Sequence, residues 1–242
     1  MIDNIQVSSL IFIDIETAPN ADHIDKLSAE ERALWHEKMA KWNKDELSDD
    51  AYYESRAGIY AEFGKVICIV LGLCSIKNGE IEMIRLKSWY GDDEKDILSQ
   101  FRKLLFEKLN NPYKYSFCGH NIKEFDIPFL CRRMLANDLT LPAMLNISGM
   151  KPWEVPFLDT LQLWKFGDYK HYTSLKLIAH TLGIPSPKDD IEGKDVGRVF
   201  WKDGDLDRIV RYCRKDVVTV ANLILKLKGM KLIQEDQIQT ID

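Results

Sequence analysis

The chain has 242 residues, 45% hydrophobic and 29% charged, a length and balance that suit one large or two small globular domains with a sizeable core. Its 33 lysines and arginines against 38 acids give a net charge of −5, which argues against tight non-specific duplex binding without excluding an enzyme that cuts nucleic acid. No apolar run approaches the roughly 18 residues a membrane span needs, and the acidic start MIDNIQVSSL lacks the basic flank of a signal peptide, so a cytoplasmic, membrane-free protein is expected.

In chain order, SLIFIDIE (9–16) is a short apolar, β-branched run and predicts a buried strand. Residues 21–60 break that pattern with a charged, helically spaced segment carrying Trp35, Trp42, Tyr52 and Tyr53. It is expected to pack on the sheet, with gating of a substrate channel through Trp35 or Trp42 as the alternative. KVICIVLGLCSI and EIEMIRLKSW, joined by Asn78-Gly79, predict an antiparallel hairpin. A helix is predicted over about 93–109, a strand at KYSFCGH, and a helix over about 124–135. Further helices are predicted over about 174–182, near 196–201, and over about 206–228. This order predicts an α/β fold in which a central mixed β-sheet is flanked by α-helices.

Charge and cysteine content refine the class. Residues 1–60 hold 6 basic against 13 acidic residues, leaving 27 against 25 beyond them, so the acidity is concentrated early. The five cysteines, Cys68, Cys74, Cys118, Cys131 and Cys213, lie in apolar stretches and form no C-x-x-C, so they read as reduced core thiols.

Three local motifs carry chemistry. D-x-E occurs at Asp14/Glu16, Asp92/Glu94 and Asp190/Glu192. The second opens a helix, where acids suit the positive dipole end, and the third lies in the loop PSPKDDIEG. Asp14 and Glu16 differ because they alternate with apolar residues on a strand, so both carboxylates share one face. Two like charges buried together are costly unless cations share them.

In HNIKEFDIPFL, Asp126 stands at the start of a helix, as a dipole partner or a metal-site acid. Asn121 can hydrogen-bond a sugar or phosphate, and His120 reads as structural rather than as a base. Phe125 and Phe129 read first as core; Thr17, Asn121 and Phe125 are the candidate substrate contacts. On the last long helix Tyr212 and Asp216 are four apart and share a face, in the one Y-x-x-x-D of the sequence. Asp159 reads as an N-cap rather than a ligand. Lys165, Lys170, His171, Lys176 and Lys188 are candidate phosphate contacts.

FIDIET, HN-x-x-x-FD-x-PFL and YC-x-x-D, in this order, resemble the three motifs of the DEDD superfamily of 3′-to-5′ exonucleases, in its tyrosine-bearing subgroup. Their wording is similar to the proofreading domain of family B DNA polymerases, and the chain resembles bacterial stand-alone proteins predicted to be exonucleases of that kind. The resemblance implies a ribonuclease H-like (DnaQ-like) fold, expected as one domain over 1–242, and the mainly helical segment at about 21–60 departs from it as an insert with no counterpart in the motifs.

It also implies Asp14, Glu16, Asp126 and Asp216 as metal-site acids and Tyr212 as the residue that positions water. All-oxygen ligands suit Mg²⁺ or Mn²⁺, two ions per site, with Asp14 bridging, Glu16 and Asp216 completing the first site and Asp126 supporting the second. The expected reaction is release of nucleoside 5′-monophosphates from 3′ ends, with single-stranded DNA favoured over RNA. An editing or repair role would draw on a polymerase or repair protein in trans. The rival readings are an RNA-processing exonuclease and a non-catalytic nucleic-acid-binding protein on the same fold.

Overall fold

The structure is a computed structural model, and it describes residues 2–40, 47–168, 172–185 and 191–241. Trp42, Lys170, His171, Lys188 and Asp190, singled out above, lie outside the described residues.

The first strand, β1 (Leu10–Pro19), is buried at nearly every position because both of its faces are covered. Leu10, Phe12 and Ala18 point into one core and Ile11, Ile13 and Ile15 into the other. Asp14 and Glu16 fall on the first of these faces by the same period of two. After β1 come α1 (Ala29–Met39), opened by a reciprocal capping box between Ser28 and Glu31, and α2 (Asp49–Arg56), capped by Ser48.

The insert meets the sheet at the ends of β1 and of the strand that follows, where a Cβ on Gly58 would stand 3.4 Å from Ala18 and Pro19 and one on Gly64 3.0 Å from the Ala57 and Gly58 carbonyl oxygens, and it also builds a core of its own. Trp35 meets the rings of Tyr52, Tyr53, Tyr60 and Phe63 at 5.1–6.3 Å between centroids, and with Ile24, Leu27 and Met39 they build a separate small core. Four aromatic rings satisfy the indole locally, so Trp35 is sealed and lines no channel. The insert is tied to β1 by Thr17 Oγ1 donating to Gly58 O at 2.7 Å, and is closed on itself by the Ala21 N–H donating to the Tyr53 hydroxyl at 3.2 Å.

The hairpin follows as β2 (Gly64–Lys77) and β3 (Glu80–Tyr90), turning through Asn78 and Gly79, both at positive φ. Then come α3 (Glu94–Leu104), whose last turns widen into a π-helix over Leu105–Leu109, β4 (Ser116–Gly119) and α4 (Asp126–Ala136). The chain continues through β5 (Leu158–Asp159), α5 (Thr160–Lys165) and α6 (Leu175–Thr181). It ends with α7 (Val196–Arg198), running into a π-turn over Val199–Asp203, then α8 (Leu206–Leu227) and β6 (Ile238–Ile241). Among the described residues no helix is long and apolar enough to cross a membrane.

The sheet has six strands in the order β5-β4-β1-β2-β3-β6. Only β2 runs against its neighbours; β1–β4, β4–β5 and β3–β6 are parallel. The strands β5 and β6 had no clear signature in the sequence, because two and four residues are too few to show a period. One face carries α8, whose Val210, Cys213, Val217, Val220 and Ile224 interlock with Phe12, Val70 and Leu86. Gly72 lets this helix approach, since a Cβ there would stand 2.8 Å from Val217 Cγ1. The other face carries α3 and α4 through Ile97, Phe101, Phe129 and Leu130.

Candidate active site

The site lies where β1 outruns β4. The two strands pair only from Leu10↔Ser116 to Phe12↔Cys118, so the edge of β1 beyond Phe12 has no partner on that side. A β-bulge between Glu16 and Thr17 also breaks the register with β2, a local twist of the kind found at the rims of functional sites. Asp126, at the first position of α4 and 3% exposed, closes the gap: its Oδ1 accepts the Ile15 N–H at 3.2 Å.

The path from β4 to α4 is fixed by two devices. Gly119 ends β4 where a Cβ would sit 2.1 Å from Ile122 Cγ2 and 2.7 Å from the Ile13 carbonyl oxygen, so no larger residue fits. Asn121 then takes φ of +63°, and its carbonyl receives the N–H groups of Glu124 and Phe125. Asp159 holds this turn from below. Its Oδ1 accepts from the Asn121 and Leu161 N–H groups at 2.9 and 3.0 Å, and its Oδ2 from that of Lys123 at 3.1 Å. It caps α5, and three backbone donors occupy its carboxylate.

Asp14 and Glu16 project from β1 toward α8. Glu16 is 7% exposed, and Oδ2 of Asp14 is sealed from solvent without a hydrogen-bond partner. A ligand atom from each, together with Cys213 Sγ from α8, lies within 4.8 Å of the others. From the same helix the Tyr212 hydroxyl hydrogen-bonds Asp216, as the i, i+4 spacing predicts.

The electrostatics follow from the crowding. Burial, then the charges of Asp126 and Asp216, hold the Asp14 carboxyl well above the usual carboxylate range. Glu16 is raised likewise by burial, then by Asp14 and Asp216. Asp126 is pushed up to about 7 by burial, against the stabilising hydrogen bonds of its own backbone and Ile15. Tyr212 is raised by burial and by Asp216, Glu16 and Asp14, so it stays a neutral phenol. Among the described residues no lysine, arginine or histidine pairs with Asp14, Glu16 or Asp126. Buried like charges without a cation, one with an orphaned oxygen, are the donor set that a divalent metal ion completes; the residues fit one.

The remaining sequence candidates are spread around this cluster. Asn121 and Phe125 stand half-buried at the turn into α4, Phe125 tilted against Phe129 at 5.6 Å between centroids. The Thr17 hydroxyl is already a donor to Gly58 O. His120 is structural: Nε2 lies 2.9 Å from the Thr173 carbonyl oxygen and Nδ1 3.0 Å from Thr160 Oγ1, and burial lowers its pKa. Since a carbonyl only accepts, the ring proton sits on Nε2. Lys176 pairs with Glu192 at 3.2 Å on the surface, and Lys165 ends α5 half-buried.

Three residues went unnoticed in the sequence as parts of this region. Cys213 read as a core thiol, and its contact with Asp14 spans 199 positions. Tyr172 sits in a loop with no period to read, 66% exposed, its ring edge-on to His120 at 6.1 Å. Its phenol is raised by partial burial and then by Asp126, Asp159 and Asp216, which places it within the field of the acid cluster. Lys123, beside the Asn121 turn, is lowered by burial and opposed by the charge of Asp159.

No curated protein matches the chain. Among solved structures it is similar to the family B DNA polymerase from the hyperthermophilic archaeon Pyrobaculum calidifontis, at a TM-score of 0.59 and 16% identity over 90% of this chain and 24% of the polymerase chain. The chain thus spans about a quarter of that polymerase, and the likeness establishes the ribonuclease H-like fold. The family match covers residues 59–240, which include Asp126, Tyr212 and Asp216, while Asp14 and Glu16 reach the site from β1, ahead of the matched range. Over those residues the chain matches the predicted 3′-5′ exonucleases related to the exonuclease domain of PolB, and it belongs to that family.

Proposed function

We propose that this protein hydrolyses the terminal phosphodiester at 3′ ends of single-stranded nucleic acid, DNA in preference to RNA, and releases nucleoside 5′-monophosphates. The observation that carries the reading is the pair of half-buried Asp14, with its sealed and orphaned Oδ2, and buried Glu16, facing the hydrogen-bonded Tyr212 and Asp216. The preference for DNA rests on kinship with the exonuclease domain of a DNA polymerase.

Asp14, Glu16, Asp126 and Asp216 would hold Mg²⁺ or Mn²⁺, two ions in all. Bound there, such ions supply a more acidic water and a positive field for the phosphate oxygens. The rest of the chemistry belongs to the chain. Tyr212 gives its one proton to Asp216, so its oxygen is left with lone pairs that accept from a water and aim it at phosphorus. It stays protonated and acts as an orienting group, not a base. The water oxygen forms the new bond to phosphorus while the bond to the 3′ oxygen of the penultimate nucleotide breaks, and that oxygen takes up a proton. Thr17, Asn121 and Phe125 line the approach from β1 and the α4 turn. The exposed ring of Tyr172 offers a stacking face to the terminal base from the loop before α6.

The test is a 5′-labelled single-stranded oligonucleotide incubated with Mg²⁺ or Mn²⁺, beside matched RNA and a mismatched duplex end. Stepwise shortening from the 3′ end, with 5′-monophosphates as product and none from Asp14→Ala, is expected. Metal-dependent activity retained in Asp14→Ala would overturn the assignment.

A further inference from the structure

We propose that Asp14, Glu16 and Cys213 form a second binding mode for a thiophilic divalent cation of the zinc class, one that competes with the hard cations of the proposed nuclease site. The inference rests on the reading above for the site's location and goes beyond it in naming a sulfur donor.

Two independent observations carry it. The Cys213 sulfur and one oxygen each of Asp14 and Glu16 lie within 4.8 Å of one another. A cation of this class holds oxygen at about 2.1 Å and sulfur at about 2.3 Å, so small side-chain rotations would gather all three donors around one ion. Second, Asp14 Oδ2 is sealed from solvent and accepts no hydrogen bond, so its lone pairs are left for a cation.

The thiol lies against the Asp14 carbonyl oxygen at 3.5 Å, the Asp14 carboxyl and Cys68, and since a thiol is a weak donor these contacts can give way to a sulfur–metal bond. On binding, the sulfur–metal bond forms and the thiol proton leaves to solvent. Mg²⁺ avoids sulfur and keeps oxygen ligands, whereas zinc-class ions take mixed sulfur and oxygen sets. Cys213 therefore discriminates between cations that the four carboxylates alone would not separate. Cys68, opposite Glu16 on β2, lies beside Cys213 and supplies the control, since the three-residue cluster does not include it.

Cadmium is the probe, because a thiolate–cadmium bond has its own ultraviolet charge-transfer band. Titrating the full chain with Cd²⁺, with calorimetry in parallel, should show the band saturating at one cadmium per chain. Cys213→Ser should abolish it and weaken Cd²⁺ by about tenfold or more, with Mn²⁺ binding unchanged, while Cys68→Ser keeps it. A band that survives Cys213→Ser, or one lost in Cys68→Ser alone, overturns the proposal. Should the serine variant misfold, the wild-type protein still decides: with Mn²⁺ bound, Cd²⁺ must drive the free-Mn²⁺ electron paramagnetic signal upward. Mn²⁺ binding without a cadmium band refutes the sulfur mode and leaves the nuclease reading standing; no binding of either ion refutes both.

Discussion

The carboxylate of Asp126 accepts the backbone N–H of Ile15, the residue between Asp14 and Glu16, so the acid from α4 is anchored to the strand that carries the other two. An amide oxygen can accept the same bond. Asp126→Asn should therefore keep the fold while lowering metal-dependent exonuclease activity by on the order of 100-fold or more. Circular dichroism with a labelled-oligonucleotide assay checks both halves, and an active Asn variant would remove Asp126 from the metal-site acids.

The same residue sets a pH dependence in the metal-free protein. Its folded pKa of about 7 stands above the ordinary 3.8, so the folded state holds a proton that the unfolded chain releases near pH 4. The associated stability is fully present below about pH 4 and is lost as pH rises through about 7. Asp14 and Glu16, raised for the same reason, act in the same sense. In EDTA, Asp126→Asn should thus be more stable than wild type at pH 7, by up to on the order of 4 kcal/mol, with the gap closing toward pH 4. Urea denaturation at both pH values measures it. Mg²⁺ or Mn²⁺ at about 100 times its dissociation constant should restore about 2.7 kcal/mol to the wild type. A wild type more stable than the variant at pH 7 without metal would contradict the account.

Tyr212 stays protonated and spends its proton on Asp216. Tyr212→Phe keeps the ring in the α8 core and removes only the oxygen that would accept from water. The expected result is unchanged folding and Mn²⁺ binding with kcat reduced on the order of 100-fold, the cost of losing a positioned nucleophile. Single-turnover kinetics separate this from slow product release, and an unaltered chemical step would deny the phenol its orienting role.

Tyr172 tests whether a surface ring beside the acids holds substrate. Stacking of one base is worth roughly 1–3 kcal/mol, so Tyr172→Ala should raise KM about tenfold or more with little change in kcat. Tyr172→Phe keeps the platform and should behave as wild type. If Phe is as impaired as Ala, the hydroxyl rather than the ring is the contact.

Much of this arrangement can be read from the sequence because its cause is local. The period of two on β1 puts Asp14 and Glu16 on one face, and the spacing of four on α8 puts Tyr212 beside Asp216. What resists reading is set by contacts distant in sequence. Cys213 meets Asp14 only because Gly72 and Val217 let α8 lie close on the sheet. The insert leans on β1 through Gly58, but the closing of Tyr52, Tyr53, Tyr60 and Phe63 around Trp35 follows no period in the sequence. Glu94 has the signature of an exposed dipole acid at the start of α3 and is instead 8% exposed.

Glu94 is buried because Arg133 of α4 meets it through Nε at 2.9 Å and through the Nη2 nitrogen at 2.5 Å, while the Val66 N–H donates to it at 2.7 Å. The same guanidinium reaches the Ala61 carbonyl at 2.9 Å, so one side chain fastens α3, α4, β2 and the end of the insert behind the site. Arg133→Met strands the carboxylate and should destabilise the fold by roughly 3–5 kcal/mol. Adding Glu94→Gln removes the stranded charge, so the double variant should recover a large part of that loss, a coupling that a double-mutant cycle in urea reads directly. A single variant costing less than about 1 kcal/mol, the range of an exposed pair, would mean that Val66 and Asn137 satisfy Glu94 without the arginine.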